Sequence, residues 1–147
     1  MSQNLHPAAI LIAHDQCKER LVHWARYNQG ALSRFDLYAT KSTGEALLRD
    51  TDLEVHLLLS GPIGGDAQAG AMIAEEQVSA LFFFWDPLSS HPHDVDVKAL
   101  LRVAVLHNVA VACNSATADC VISSPLLFDA DHREWSMASR QLTSQFG

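Results

Sequence analysis

Several side chains of this sequence have the chemistry of a general base paired with a proton donor. The carboxyl groups belong to Asp15, Asp66, Asp86 and Asp96, and the imidazoles belong to His14 and His93. Crowded, partly buried carboxyl groups oppose one another's ionisation, so such a set can hold one ionised base beside a protonated partner near neutral pH. The simpler interpretation is that each aspartate caps a helix, which explains each residue singly but not their shared location after strands.

The glycine-rich stretch over residues 60–70 is the centre of this pattern. An apolar run precedes Ser60 and Gly61, and a helical pattern follows Asp66. Glycine permits backbone conformations and close approaches to a ligand that other residues do not. Asp66 is therefore either a helix cap or a carboxylate directed at a pocket beyond a buried strand, where ligands bind in open α/β sheets.

A second segment, Thr40-Lys41-Ser42-Thr43-Gly44, carries the groups that bind anions. It joins a predicted strand to a predicted helix, and the hydroxyl and backbone N–H groups at such a junction bind phosphate. An ordinary Ser/Thr cap is the alternative, and this segment alone favours the cap. Lys18 lies one helical turn beyond His14 and points to the same edge, although alone it would be interpreted as a solvated lysine.

The segment His91-Pro92-His93-Asp94-Val95-Asp96 has side chains that suit divalent metals. However, the chain has neither an HxxxH nor a CxxC spacing, so we predict no metal site. His93 is then a neutral polar donor, tuned by neighbouring carboxylates, and Asp96 is either a helix cap or a partner for that imidazole.

The order of apolar and amphipathic segments predicts an α/β fold. Strands are predicted at residues 8–13, 35–39, 55–59, 80–85 and 109–112, and helices at 16–27, 45–49, 66–76, 97–106 and from 114 to just before 125. This alternation predicts a three-layer open sandwich, with a mainly parallel five-stranded sheet and helices on both faces. The run at 80–85 is the most apolar and is predicted to be the central strand. Because the carboxyl ends of parallel strands share one edge, the polar clusters that follow them should converge there.

Composition restricts the classes of function. The length of 147 residues predicts a single domain over 1–147, with an atypical tail over about 128–147. A net charge of −7 argues against nucleic-acid binding, and no apolar stretch approaches the length of a membrane span. Three cysteines without CxxC spacing, and the lack of a signal-peptide pattern, predict a cytoplasmic protein.

The sequence resembles the methylglyoxal synthases in several segments that contain these residues. The matching segments are Ala13-His14-Asp15 with Lys18, Thr40-Lys41-Ser42-Thr43-Gly44, Leu59-Ser60-Gly61-Pro62-Ile63-Gly64-Gly65-Asp66, Phe83-Phe84-Trp85-Asp86-Pro87-Leu88, Pro92-His93-Asp94-Val95-Asp96-Val97-Lys98-Ala99-Leu100 and Asn114-Ser115-Ala116-Thr117-Ala118-Asp119. They follow one another in order over about residues 8–127. The Gly-Gly-Asp loop, combined with the Trp-Asp-Pro and Pro-His-Asp segments, is the most specific part.

The resemblance implies a lyase that converts dihydroxyacetone phosphate to methylglyoxal and inorganic phosphate without a metal or organic cofactor. It implies that Asp66 is the catalytic base and that His93 contacts the substrate oxygens and helps to move protons. The remaining polar network would comprise His14, Asp15, Asp86 and Asp96, and the substrate and phosphate contacts would comprise His14, Lys18, Thr40, Lys41, Ser42, Thr43, Ser60, Gly61 and His93. The family is typically a homohexamer.

Two features depart from the family pattern. Lys41 stands where the family often has a small residue such as glycine, and the family's phosphate-binding C-terminal arginine has only Arg133 and Arg140 as candidates here. Two other functions are compatible with the residues. One is an effector-binding domain of the same fold that senses a phosphorylated metabolite, and the other is a metal-dependent hydrolase that uses His91 and His93.

Overall fold

The computed structural model of the chain describes residues 7–89, 94–129 and 132. Its strands are β1 (Ala8–Ala13), β2 (Asp36–Ala39), β3 (His56–Leu57), β4 (Val78–Phe84) and β5 (Ala110–Ala112). They form one five-stranded sheet in the order β3-β2-β1-β4-β5, and every neighbouring pair is parallel. The predicted parallel sheet is confirmed.

Six α-helices connect or follow these strands within the described residues. They are α1 (Lys18–Tyr27), α2 (Gln29–Leu32), α3 (Lys41–Asp50), α4 (Gly65–Ala74), α5 (Asp94–Leu106) and α6 (Ser115–Ser123). Short 3-10 turns at Asp15–Cys17, Gly61–Ile63 and Pro125–Phe128 complete the described elements. In this part of the chain, no helix combines the length and the apolar character needed to cross a membrane.

The helices cover both faces of the sheet because successive residues of a strand point to opposite faces. On one face, Ala9 and Leu11 of β1 pack in a core with residues of α1, α2, α3 and α6. On the other face, Ile10 and Ile12 pack in a core with residues of α4 and α5. The two cores confirm the three-layer sandwich, and they explain why β1 reads as a continuous apolar run.

The prediction that the run at 80–85 forms the central strand is wrong. β1 occupies the middle of the sheet, and β4 lies beside it, between β1 and β5. Both strands have helices on both faces, and their core residues are similarly buried. An apolar run therefore indicates that a strand is covered on both faces, but it does not rank the interior strands by position.

Helix α3 begins at Lys41, four residues earlier than the predicted start at residue 45. Ser42, Thr43 and Gly44 in its first turn have low helix propensity, but tertiary contacts hold this turn in place. The hydroxyl of Thr43 accepts a hydrogen bond from the backbone N–H of Ala13, at 3.2 Å. A Cβ atom on Gly44 would lie 2.2 Å from Cδ2 of Leu57, so the glycine lets α3 pack closely on β3. The predicted polar loop is therefore the first turn of a helix.

Candidate active site

Segments from four strands meet at the carboxyl edge of the sheet, because backbone hydrogen bonds continue past the ends of the strands. The N–H of His14, which follows β1, donates to the carbonyl of Phe84 at 3.1 Å, and this bond joins the ends of β1 and β4. The N–H of Lys41, which follows β2 and Thr40, donates to the carbonyl of Leu59 at 3.4 Å, and this bond joins the segments after β2 and β3. The convergence predicted from the sequence is therefore present in the backbone.

Asp66 lies in the first turn of α4 and does not cap the helix. Gly64 occupies the capping position with a φ of 122°, a conformation that favours glycine, and α4 begins at Gly65. Only 4% of Asp66 is exposed. The structure thus excludes the cap interpretation and places a buried carboxyl group at the amino end of a helix, where negative charge is favourable.

The start of α4 packs directly on the predicted phosphate-binding segments. The N–H of Gly65 donates to the carbonyl of Ser60 at 2.9 Å. The position that a Cβ would occupy on Gly65 lies 2.1 Å from the carbonyl oxygen of Leu59 and 2.9 Å from Cγ2 of Thr40. Asp66 is therefore one residue away from a point where α4, the end of β2 and the loop after β3 touch.

The segment that begins at Thr40 contains two buried threonines, with two exposed residues between them. Thr40 is the N-cap residue of α3, but its side chain makes no capping hydrogen bond. Its hydroxyl instead donates to the hydroxyl oxygen of Thr43 at 3.4 Å, and both residues are buried. Lys41 and Ser42, between them, are exposed, whereas Ser60 and Gly61 of the neighbouring loop are half-buried. Thr40 therefore occupies the cap position that this segment alone predicts, but without the side-chain hydrogen bond of an ordinary Ser/Thr cap.

His14 is buried and held on two sides. Its Nδ1 accepts a hydrogen bond from the backbone N–H of Asp86 at 3.1 Å. Its ring meets the ring of Phe83 edge-on, with centroids 5.2 Å apart and an interplanar angle of 89°. Since Nδ1 acts as an acceptor, the neutral imidazole carries its proton on Nε2, which makes Nε2–H a donor.

Asp86 uses both carboxylate oxygens to order its own turn. Oδ1 accepts the N–H of Leu88 at 3.0 Å, and Oδ2 accepts the hydroxyl of Ser89 at 2.6 Å. Ser89 was not predicted as a site residue, although an Asp that binds the backbone N–H two residues further on is typical of an Asx turn, as the bond to Leu88 shows. The backbone N–H of Asp86 donates to the Nδ1 atom of His14, so the turn that Asp86 stabilises also orients the imidazole.

The other two predicted aspartates are exposed. Asp15 forms an ion pair with Lys18, whose side chain is only 21% exposed, whereas 93% of the Asp15 side chain is exposed. Asp96 lies near the start of α5 and is also exposed. The predicted set of carboxylates therefore divides into a buried pair, Asp66 and Asp86, and an exposed pair.

Several sequence predictions fall on residues outside the described ranges. These residues are His91, His93, Arg133 and Arg140. Among the residues that the structure does describe, no three or more His, Cys, Asp or Glu side chains are grouped in a way that could hold a metal ion. At the end of β5, Asn114 is an ordinary helix cap, since its Oδ1 accepts the N–H of Thr117 at 2.9 Å.

Two thiols lie near the same edge, on Cys17 and Cys113. Burial raises the pKa of the Cys113 thiol. Burial and then the Asp86 carboxylate raise the pKa of the Cys17 thiol, against an opposing effect of Arg20. Since a thiolate rather than a thiol is the nucleophile, these shifts disfavour nucleophilic catalysis by either cysteine at neutral pH. We therefore assign neither thiol a catalytic role.

Comparison with known proteins agrees with this geometry. The model of the MGS-like domain family matches residues 20–113. A methylglyoxal synthase from Leptospira interrogans is 55% identical over 116 residues, which cover 79% of this chain and 78% of the relative. The chain belongs to the methylglyoxal synthase family.

Other members of the methylglyoxal synthase family match over a similar length. A methylglyoxal synthase from Coxiella burnetii is 49% identical over 122 residues, covering 83% of this chain and 85% of the relative. The crystal structure of methylglyoxal synthase from Elizabethkingia anophelis NUHP1 superposes with a TM-score of 0.79 at 45% identity, covering 84% of this chain and 81% of that chain. Both the sequence and the fold of this chain are therefore similar to those of the methylglyoxal synthases.

Proposed function

We propose that this protein is a methylglyoxal synthase, a lyase that converts dihydroxyacetone phosphate to methylglyoxal and inorganic phosphate. The observation that carries the proposal is the position of Asp66, which is buried in the first turn of α4 beside a residue packed on Thr40 and Leu59. A base in that position is one residue away from the contact with the two segments whose hydroxyl and N–H groups suit a phosphate. Relatives named methylglyoxal synthase support the same assignment.

In the proposed first step, the Asp66 carboxylate removes a carbon-bound proton next to the ketone of the substrate. The electrons of the broken C–H bond form an enediolate, whose oxygens need hydrogen-bond donors. The Nε2–H of His14 is such a donor, because its Nδ1 is already engaged by the backbone of Asp86. By resemblance to the family, His93 supplies a second donor and helps to return protons.

In the second step, the enediolate expels phosphate. When the C–O bond to phosphate is perpendicular to the enediolate plane, the π electrons break that bond, and the released enol tautomerises to methylglyoxal. An isomerase that shares the intermediate must instead hold the bond in the plane, so the way in which the phosphate is held decides the product. The residues that we assign to holding the phosphate are Lys18, Thr40, Lys41, Ser42, Thr43, Ser60 and Gly61.

Local donors rather than the overall charge must attract the substrate, because the net charge of the chain is −7. Lys41 is exposed at the first position of α3, and its ammonium group adds a positive charge beside the backbone N–H groups there. At the same edge, Lys18 is mostly buried and paired with Asp15. We assign the exposed Lys41 to capturing the phosphate and the ion-paired Lys18 to fixing its final position.

The proposed enzyme needs neither a metal nor an organic cofactor and acts in the cytoplasm. The thiols of Cys17, Cys113 and Cys120 are all free, which suits a reducing compartment. Asp66 as base and His14 as donor suffice for proton transfer and enediolate stabilisation without a Lewis acid. The family resemblance further implies that the protein assembles as a homohexamer.

The proposal is tested by incubating the purified protein with dihydroxyacetone phosphate in the presence and absence of EDTA. The expected result is equal amounts of inorganic phosphate and of a dicarbonyl trapped by a diamine, with rates unaffected by EDTA. Tight binding of phosphorylated metabolites without turnover would contradict the proposal and identify an effector-binding domain. Phosphate release that yields dihydroxyacetone and stops with EDTA would identify a metal-dependent hydrolase.

A further inference from the structure

We propose that Gly65 is a positioning residue that sets the distance between the base Asp66 and the phosphate-binding segments. The inference rests on the proposed function, because it assigns Asp66 as the base. It also depends on one geometric fact: a Cβ on Gly65 would lie 2.1 Å from the carbonyl oxygen of Leu59 and 2.9 Å from Cγ2 of Thr40. No other residue type can occupy this position without a displacement.

The close contact occurs where three segments of the chain meet. Leu59 belongs to the loop after β3, Thr40 ends the β2 segment, and Gly65 begins α4. The carbonyl oxygen of Leu59 also accepts a long hydrogen bond from the N–H of Lys41, at 3.4 Å. The N–H of Leu59 is in turn bound by Oε1 of Gln68 in α4, at 2.7 Å. The Leu59 peptide is thus held between α3 and α4.

An alanine at this position must therefore separate α4 from the Leu59 peptide. Carbon and oxygen atoms cannot remain 2.1 Å apart, so the start of α4 and the Leu59 peptide must separate by about 1 Å. Asp66 is the next residue along the helix, and it moves with this turn. A misplacement of about 1 Å between reacting groups can cost about 100-fold in rate. Gly65 therefore acts on catalysis through Asp66, without itself touching the substrate.

The same helix contains a matched control. Gly70 lies further along α4, and a Cβ there would meet nothing closer than Cδ1 of Leu100, at 4.0 Å. Gly70→Ala makes the same chemical change as Gly65→Ala in the same helix, but without the close contact. Gly65 begins the helix and Gly70 lies inside it, so alanine favours helix formation more at Gly70 than at Gly65. This difference acts on stability, which the melting temperatures report, whereas a loss of turnover confined to Gly65→Ala reports the contact at Gly65.

The test measures kcat for dihydroxyacetone phosphate, and the dissociation constant of inorganic phosphate, for the wild type, Gly65→Ala and Gly70→Ala. Assays are run well below the melting temperature of each variant. For Gly65→Ala we expect kcat to fall about 100-fold, while the dissociation constant of phosphate changes less than about threefold. Gly70→Ala should match the wild type in both. A role confined to stability would lower the melting temperature of Gly65→Ala without this split between turnover and binding.

Two results would overturn the inference while leaving the proposed function intact. One is a kcat of Gly65→Ala within about threefold of that of Gly70→Ala, and the other is an equal loss of turnover and of phosphate binding. If the wild type itself forms no dicarbonyl, the proposed function fails instead. If Gly65→Ala does not fold, the inference is tested instead by a crystal structure of the wild type with bound phosphate. The inference requires the contact between Gly65 and Leu59 to persist there, and withdrawal of α4 from Leu59 would overturn it.

Discussion

At the scale of single residues, hydrogen bonds assign different tasks to side chains that look alike in the sequence. Asp66 is buried in the first turn of α4. Asp86 is also buried, but its two oxygens bind Leu88 and Ser89. Asp86 lies in a turn after β4, whereas Asp66 follows Gly65, whose contacts join α4 to Leu59 and Thr40 of the phosphate-binding segments. We therefore assign the base to Asp66 and a supporting role to Asp86.

The tautomer of His14 is the most specific consequence at this scale. The backbone N–H of Asp86 points at Nδ1, so we expect a neutral ring protonated on Nε2. Nitrogen-15 NMR of imidazole-labelled protein at pH 7.5 should show an unprotonated Nδ1 and a protonated Nε2 for this residue. A resonance pattern with the proton on Nδ1 would contradict the assigned donor. A His14→Gln variant identifies the resonance, because its signal then disappears.

The sequence predicts which residue types gather at the edge of the sheet, but not which hydrogen bonds they make. His14, Thr40 and Ser60 were predicted there because they follow apolar runs. The engagement of Asp86 with Ser89, and of Thr40 with Thr43, depends on the path of the backbone in turns that hydrophobic periodicity does not describe. The assignment of His93 stays a prediction, since that residue lies outside the described residues.

At the scale of elements, the first turn of α3 is held to β1 by one side chain. β2 ends at Ala39, opposite Leu11, so the backbone of Ala13 extends beyond its neighbouring strand. The hydroxyl of Thr43 makes the hydrogen bonds to Ala13 that a neighbouring strand would otherwise make. It accepts the N–H of Ala13 at 3.2 Å and donates to the carbonyl of Ala13 at 3.4 Å. These two hydrogen bonds hold the first turn of α3, which begins at Lys41, against the end of β1.

We predict that Thr43→Val destabilises the protein by about 1–3 kcal/mol, because the buried N–H of Ala13 loses its partner while the side-chain volume is retained. The measurement is the free energy of unfolding in urea at a fixed protein concentration. Thr43→Ser keeps the hydroxyl and should recover more than half of the loss. Equal stability of the valine variant and the wild type would show that the hydrogen bond does not hold α3 in place.

The elements were predicted unevenly, for a physical reason. All five strands were predicted, and the buried ones are recognised because parallel strands covered on both faces are runs of apolar residues. The edge strand β3 is exposed and contains only His56–Leu57 of the predicted 55–59. The start of α3 was missed, because Thr43 and Gly44 have low helix propensity and are held by contacts with Ala13 and Leu57 that are distant in sequence. Tertiary contacts of this kind override local preference.

At the scale of the whole molecule, the resemblance to the family implies a homohexamer. Several large apolar side chains of the described residues are exposed, including Ile63 at 69% and Leu88 at 95%, and both follow strands at the edge that carries Asp66. From the resemblance to the methylglyoxal synthases, we expect native mass spectrometry to give six times the 16.1 kDa chain mass as the main species. A monomer that remains fully active would contradict this expectation, and it would show that the site is complete within one chain.

The most direct test of the account is the turnover of Asp66→Asn. The asparagine keeps the size of the buried side chain but cannot accept a carbon-bound proton, so kcat should fall by at least about 1,000-fold, while inorganic phosphate binds as in the wild type. The melting temperature of the variant establishes that it is folded. Dicarbonyl and phosphate formation at a rate near that of the wild type would contradict the central claim that Asp66 is the catalytic base.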